Sequence, residues 1–222
     1  MGNGLMQKKP LDGNQCCIMK SLDALKKYDI LLASASPRRK ELLSQLGITF
    51  EVAPSIEVDE SYPTQMDAYE VAPHLSKLKA DAYRQLIIDN QLIITADTVV
   101  INNGEVLGKP ESLQHAKEML ESLSGHSHSV MTGVTITTLE KQVTFAVNTE
   151  VEFAQLSSQE IDDYVDNFTP LDKAGAYGIQ EWIGCIGVKN IKGSFYNVMG
   201  LPVCRLGQLL RQVAPELTEE SK

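Results

Sequence analysis

Hydrophobic and polar positions alternate between two rhythms along this chain. Ile30, Leu31 and Leu32 form a short apolar run that reads as a buried strand. Ser34, Ala35 and Ser36 follow as a small-residue turn, and Pro37 succeeds Ser36 in the order of a helix N-cap and first helical residue. A helix over 38–46 places Leu42, Leu43 and Leu46 on one side, and Gly47 stops it. Residues 49–53 read as a second strand, and 55–61 as a loop carrying Glu57, Asp59 and Glu60. Pro73 fits the first turn of a long helix running to about residue 89, with Leu75, Leu78, Ala82 and Leu86 on its buried side. The β-branched run over 92–101 belongs in the centre of a sheet, and 102–105 closes a hairpin.

The second half continues in the same way. Ser112 caps a helix that ends near Leu123 and Gly125. Two long antiparallel strands follow, over 129–138 and 143–153. Ser157 and Glu160 form a capping box for a helix to about residue 167. Residues 183–191 read as a strand, and a last helix after Gly200-Leu201-Pro202 docks through Leu206, Leu209, Leu210 and Val213. Strands and helices alternate first and antiparallel hairpins come later. This order predicts one α/β unit with a mixed sheet and two lobes around a central cleft. Residues 1–27 read as an extension, 28–214 as a single catalytic domain and 215–222 as a frayed tail.

Composition narrows the function. The 222 residues are 43% hydrophobic and 22% charged, enough for a real core. A formal net charge of -9 disfavours non-specific nucleic-acid binding, which needs surplus cations to displace counterions. No apolar run approaches the roughly 18 residues of a membrane helix. Cys16, Cys17, Cys185 and Cys204 show neither metal-ligand spacing nor a disulfide framework, which suggests reduced thiols in the cytoplasm.

The candidate chemistry sits at breaks in the hydrophobic pattern. Arg38 and Arg39 occupy a first helical turn, where the partly positive amide end normally favours acids. With Ser34 and Ser36 they describe an anion site, most simply for phosphate; the alternative is a surface helix with two solvated arginines. Asp97 and Thr98 interrupt the most apolar strand, and a buried aspartate there needs a partner. It serves chemistry or metal binding, or it braces a neighbouring loop. Lys79 and Lys109 add cations, the second beside a glycine turn. His126 and His128 alternate and are expected to share one side of a strand, although no third ligand lies near. The stretch 172–180, with Asp172, Lys173, Gly175, Gly178 and Gln180, is the second unusual segment.

These pieces together resemble the Maf family of nucleotide pyrophosphatases. The resemblance rests on Ser34-Ala35-Ser36-Pro37-Arg38-Arg39, Ala96-Asp97-Thr98-Val99-Val100 and Leu107-Gly108-Lys109-Pro110. It continues in Leu123-Ser124-Gly125 with Thr132, in Asp172-Lys173-Ala174-Gly175-Ala176-Tyr177-Gly178-Ile179-Gln180 and in Gly200-Leu201-Pro202. It implies a fold related to inosine triphosphate pyrophosphatases, and hydrolysis of a nucleoside triphosphate to the monophosphate and pyrophosphate. It also implies a divalent metal and a homodimer. The stretch ending in Gln180 resembles the branch acting on dTTP and UTP rather than the sister branch acting on 7-methyl-GTP. By motif position Asp97 takes the proton-acceptor role, and Arg38, Thr98 and Gln180 take substrate-selecting positions.

The residues agree with that chemistry. Arg38, Arg39, Lys79 and Lys109 suit a triphosphate and its leaving group. Asp97, with Glu60 or Asp59 as second acid, offers only hard oxygen ligands, so Mg2+ or Mn2+ fits. Whether Asp97 is base or ligand stays open at this level. The amide of Gln180 matches N3-H and O4 of uracil or thymine. The alternatives are a non-catalytic nucleotide-binding regulator of cell division and the same enzyme acting on another modified nucleotide.

Overall fold

A computed structural model describes residues 20–213. The remainder of the N-terminal extension, with Cys16 and Cys17, and the tail from residue 214 lie outside the described residues.

A 3-10 helix over Lys20–Lys27 leads into β1 (Asp29–Ala33) and seats Leu22 and Leu25 in the main core. The turn after β1 opens α1 (Pro37–Gln45): Ser36 Oγ accepts from the Arg39 amide, and Pro37 supplies the first helical residue. The following strand, β2, is shorter than expected, at Glu51–Val52, because only these residues pair with β1.

The next helix, α2 (Ala68–Arg84), begins five residues before Pro73. Asp67 caps it by accepting the Tyr69 amide, so Pro73 lies inside the helix, where it returns no bond to Tyr69. The helix also stops short of residue 89, and Leu86 is exposed while Ile87 turns inward.

β3 (Gln91–Asn102) is the central strand. It pairs in parallel with β1 and antiparallel with both β4 (Glu105–Leu107) and β5 (Ser127–Thr137). The helix α3 (Leu113–Leu123) precedes β5, and β6 (Gln142–Phe153) follows it. Then come α4 (Ser158–Phe168) with its capping box, a 3-10 turn over Ala174–Ala176, and α5 (Trp182–Gly187). β7 (Val188–Lys192), α6 (Phe195–Val198) and α7 (Val203–Val213) complete the chain.

The segment expected as one strand over 183–191 therefore divides into α5 and β7. A short apolar run fits a buried helix and a strand equally well. Gly184 decides for the helix: a Cβ there would stand 1.9 Å from the Ile179 carbonyl oxygen, so this face of α5 rests on the backbone of the preceding loop.

The sheet has seven strands in the order β2-β1-β3-β5-β6-β7, with β4 on β3. It has a parallel part (β2-β1-β3) and an antiparallel part (β3-β5-β6-β7) that share β3. Alternation along β3 separates the faces. Leu92, Ile94, Ala96 and Val100 enter the main core with Leu120, Leu123, Leu206 and Leu210. Val99 and Ile101 pack against Val71, Ala72 and Leu75 of α2. That helix lies close to the sheet because position 133 is glycine; a Cβ there would come within 2.3 Å of the Ala72 carbonyl oxygen. Polar bonds pin it further: Thr95 Oγ1 donates to Ser76 O at 2.7 Å, and Ser76 and Thr135 hydroxyls meet at 3.0 Å.

Candidate active site

β1 ends at Ala33 opposite Thr95, while β3 runs on. The chain leaves the sheet there to enter α1, and a cleft of about 810 Å³ opens at this end. Binding sites favour such carboxyl ends of parallel strands, where helix N-termini also point. Ser34, Ser36, Arg38, Arg39, Glu60, Lys79, Asp97, Thr98, Lys109 and Gln180 all line it. Arg38 and Asp97, which the account requires on one hollow, are thus brought together.

Lys79 is the hub of the acidic side. It rises from α2 one turn beyond Leu75, and its Nζ reaches Asp97 Oδ1 at 2.7 Å and Glu60 Oε2 at 2.8 Å. Asp97 therefore has the partner that its place in an apolar strand demands. Asp59 does not join them. It stays on the exposed loop, where its carboxylate accepts the Ser61 amide at 3.0 Å, a local turn contact that takes it away from the cleft.

The two adjacent arginines do different work. Arg39 is half-buried among neutral acceptors: Nε donates to Gly200 O at 2.9 Å, Nη1 to Ser34 Oγ at 3.3 Å and Nη2 to Thr98 Oγ1 at 3.0 Å. Burial lowers its pKa, and the nearby carboxylates of Asp97 and Glu60 oppose that effect. The Thr132 hydroxyl donates to Asn197 O, so Thr98 donates its own proton to Thr132 while accepting from Arg39. Thr98 thus braces Arg39. Arg38, by contrast, donates through Nη1 to the Asp172 carboxylate at 2.8 Å.

Asp172 also accepts from Lys173 Nζ at 2.7 Å. These two cations outweigh partial burial and hold its carboxyl at about 2. Lys173 is almost fully buried and reaches Glu181 at 3.2 Å; Glu181 in turn accepts from the Tyr164 hydroxyl, which takes the Gly178 amide at 3.1 Å. Gln180 lies between Gly178 and Glu181, exposed on the cleft wall, with no hydrogen bond to the described residues. Lys109 is exposed at the rim.

Asp172 and Glu181 were not among the expected site residues. The sequence placed Asp172 in an unusual stretch and Glu181 next to Gln180, yet nothing local shows that they join Arg38 to the Gln180 loop. Tyr164, in the middle of an ordinary amphipathic helix, gives no signal at all. The two histidines are not neighbours on a strand face. His126 precedes β5, with Nδ1 on Ser124 O at 2.7 Å, and His128 is buried against the Tyr177 hydroxyl at 2.8 Å.

Among the described residues no cluster of three or more His, Cys, Asp or Glu side chains forms a complete metal cage. Asp97 and Glu60 nevertheless converge on one ammonium, so two hard oxygen donors already face a cationic centre. That pair fits a magnesium-like ion, which takes few protein carboxylates and completes its shell with water and phosphate.

Fold and site together define an α/β protein whose cleft sets cations and carboxylates around one hollow suited to a polyanion. The family model described as Maf-like protein matches residues 29–213, and the chain belongs to the Maf family. A Bacteroides thetaiotaomicron protein named dTTP/UTP pyrophosphatase is 56% identical over 185 residues, covering 83% of this chain and 96% of its own length. A Parabacteroides distasonis protein of the same name is 53% identical over 190 residues, covering 86% and 98%. Among solved structures, a HAM1 protein from Coxiella burnetii superimposes with a TM-score of 0.44 at 18% identity, over 83% of this chain and 99% of that one.

Proposed function

We propose that this chain is a nucleoside triphosphate pyrophosphatase that hydrolyses dTTP and UTP to the monophosphate and pyrophosphate, with water attacking the α-phosphorus. The observation that carries the reading is the meeting of Asp97 and Glu60 on Lys79 in the cleft that Arg38 also lines. The names of the relatives point to the same substrates.

The residues divide the work as follows. Arg38, Lys109 and the N-terminal end of α1 receive the phosphate chain, supplying fixed positive charge where the leaving pyrophosphate gains negative charge. Arg39, locked by three neutral acceptors, holds the turn that carries Arg38. Asp97 gives one carboxylate oxygen to Lys79 and takes the proton of the attacking water with the other. Asp97 and Glu60 would also hold a divalent ion, Mg2+ or Mn2+. When bound, that ion polarises phosphate oxygens and acidifies water. Gln180 presents an amide donor beside a carbonyl acceptor, the complement of O4 and N3-H on a uracil or thymine ring.

A nucleotide sensor needs neither Asp97 nor Glu60 beside the phosphate cations, so the pair favours catalysis over a purely regulatory role. Among the described residues no helix is long and apolar enough to cross a membrane. We place the activity in the cytoplasm, in a single catalytic unit spanning 28–214 and acting as a homodimer, with no nucleic-acid partner. The test is pyrophosphate release from a nucleotide panel with magnesium or manganese present. The reading requires dTTP and UTP to be cleaved best; a panel without pyrophosphate release refutes it.

A further inference from the structure

Arg38 and Arg39 are adjacent in sequence and unlike in partnership. Arg39 is fastened on the cleft wall by neutral oxygens. The Arg38 side chain is only 23% exposed, and its partner is an anion, Asp172 Oδ2, whose own side chain is 56% exposed on a loop. Asp172 is not a free surface acid. Its second oxygen is held by Lys173, which is 8% exposed and anchored in turn by Glu181 and Tyr164. A carboxylate has thus been set, with its own support, on a guanidinium that lines the cleft. It is ionised throughout the working pH range, because Lys173 and Arg38 hold its carboxyl at about 2.

We propose that Asp172 is a positioning residue that acts through Arg38 as an internal counter-anion: a polyphosphate must displace its carboxylate from the guanidinium to bind. The proposal rests on the pyrophosphatase reading only for the identity of the ligand. Displacing the resident carboxylate costs every anion the same, so only a ligand with further charge for the other cations of the cleft keeps a firm hold. A triphosphate therefore competes better than either of its hydrolysis products. Once the phosphate chain is cut, Asp172 retakes Arg38 and the products leave. Lys173 makes this exchange inexpensive, since Asp172 keeps one cation while Arg38 is away.

Asp172→Asn removes the charge and keeps the shape. Calorimetric titration with inorganic pyrophosphate should show about two- to fivefold tighter binding, the range expected for loss of a partly exposed ion pair. KM for dTTP should fall by a similar factor and inhibition by the nucleoside monophosphate should strengthen, while kcat does not rise. In an Arg38→Gln background the same substitution should leave pyrophosphate affinity unchanged. Weaker or equal pyrophosphate binding in the single variant overturns the proposal, as does a gain that persists without Arg38. Asp172→Ser provides the same comparison if the asparagine variant fails to fold. The titration needs no turnover, so an inactive protein would sink the enzyme assignment and still decide this one.

Discussion

Lys79 and Asp97 meet at 2.7 Å across the seam between α2 and β3, one from a helix face and the other from the middle of an apolar strand. The contact exists because Gly133 lets α2 lie against the sheet and because β3 outruns β1 at that point. Packing decisions far from any ligand thus set the position of the acid assigned to take a proton.

Asp97→Asn keeps the shape and a hydrogen-bond acceptor for Lys79 and removes the base. Turnover should fall about a hundred- to ten-thousandfold, the usual contribution of positioned acid-base catalysis. The melting temperature should stay near that of the parent, since Lys79 retains Glu60. Pyrophosphate release and a thermal melt check the two halves. Parent-like turnover in this variant contradicts the role given to Asp97.

The neighbouring arginines should separate cleanly. Arg38→Gln should raise KM about ten- to a hundredfold, the cost of losing a charged hydrogen bond to substrate, with little change in stability. Arg39→Lys should destabilise the fold by about 1–3 kcal/mol, because a lysine leaves the acceptors at Gly200, Ser34 and Thr98 incompletely satisfied. Steady-state kinetics and denaturant titration on both proteins distinguish these effects.

Acid should weaken the fold through His128. Burial lowers its pKa from the usual 6.5 to about 4. The unfolded chain takes up that proton near 6.5 and the folded chain holds it off until about 4, so stability is full above 6.5 and declines as the pH drops toward 4. The loss across this window is on the order of 3 kcal/mol. His128→Gln, which retains a polar partner for Tyr177, should flatten the decline; an unchanged slope in that variant would assign the effect to other groups.

Gly184→Ala should disturb the wall that carries Gln180. Its new methyl would start 1.9 Å from the Ile179 carbonyl oxygen, immediately before Gln180, so α5 or the loop must move. A loss of about 1–3 kcal/mol in stability is expected from overpacking, together with poorer discrimination of UTP from CTP. Substrate competition assays measure the second part.

Much of this arrangement was legible in the chain itself. Ser36-Pro37 announced α1, Ser157 and Glu160 announced α4, and the run around Asp97 announced the central strand, because each signal is local. Pro73 misled because the Asp67 cap lies farther upstream than a proline-led helix start suggests. The split of 183–191 into helix and strand depended on one glycine meeting a carbonyl, a tertiary contact without a periodic signature. The Asp97 and Arg38 grouping followed from motif order, whereas Lys79 stood outside those motifs as one cation among several on a helix. Of the Asp172–Lys173–Glu181–Tyr164 chain only the first pair is local in sequence; Glu181 and Tyr164 join it through tertiary contacts that have no sequence signature.

The central claim is water attack at the α-phosphorus beside Asp97, and the most direct measurement is the fate of oxygen from solvent. Purified protein hydrolysing dTTP with magnesium in 18O-labelled water should yield labelled thymidine monophosphate and unlabelled pyrophosphate by mass spectrometry. Label in pyrophosphate or orthophosphate, with unlabelled nucleotide product, would contradict the account.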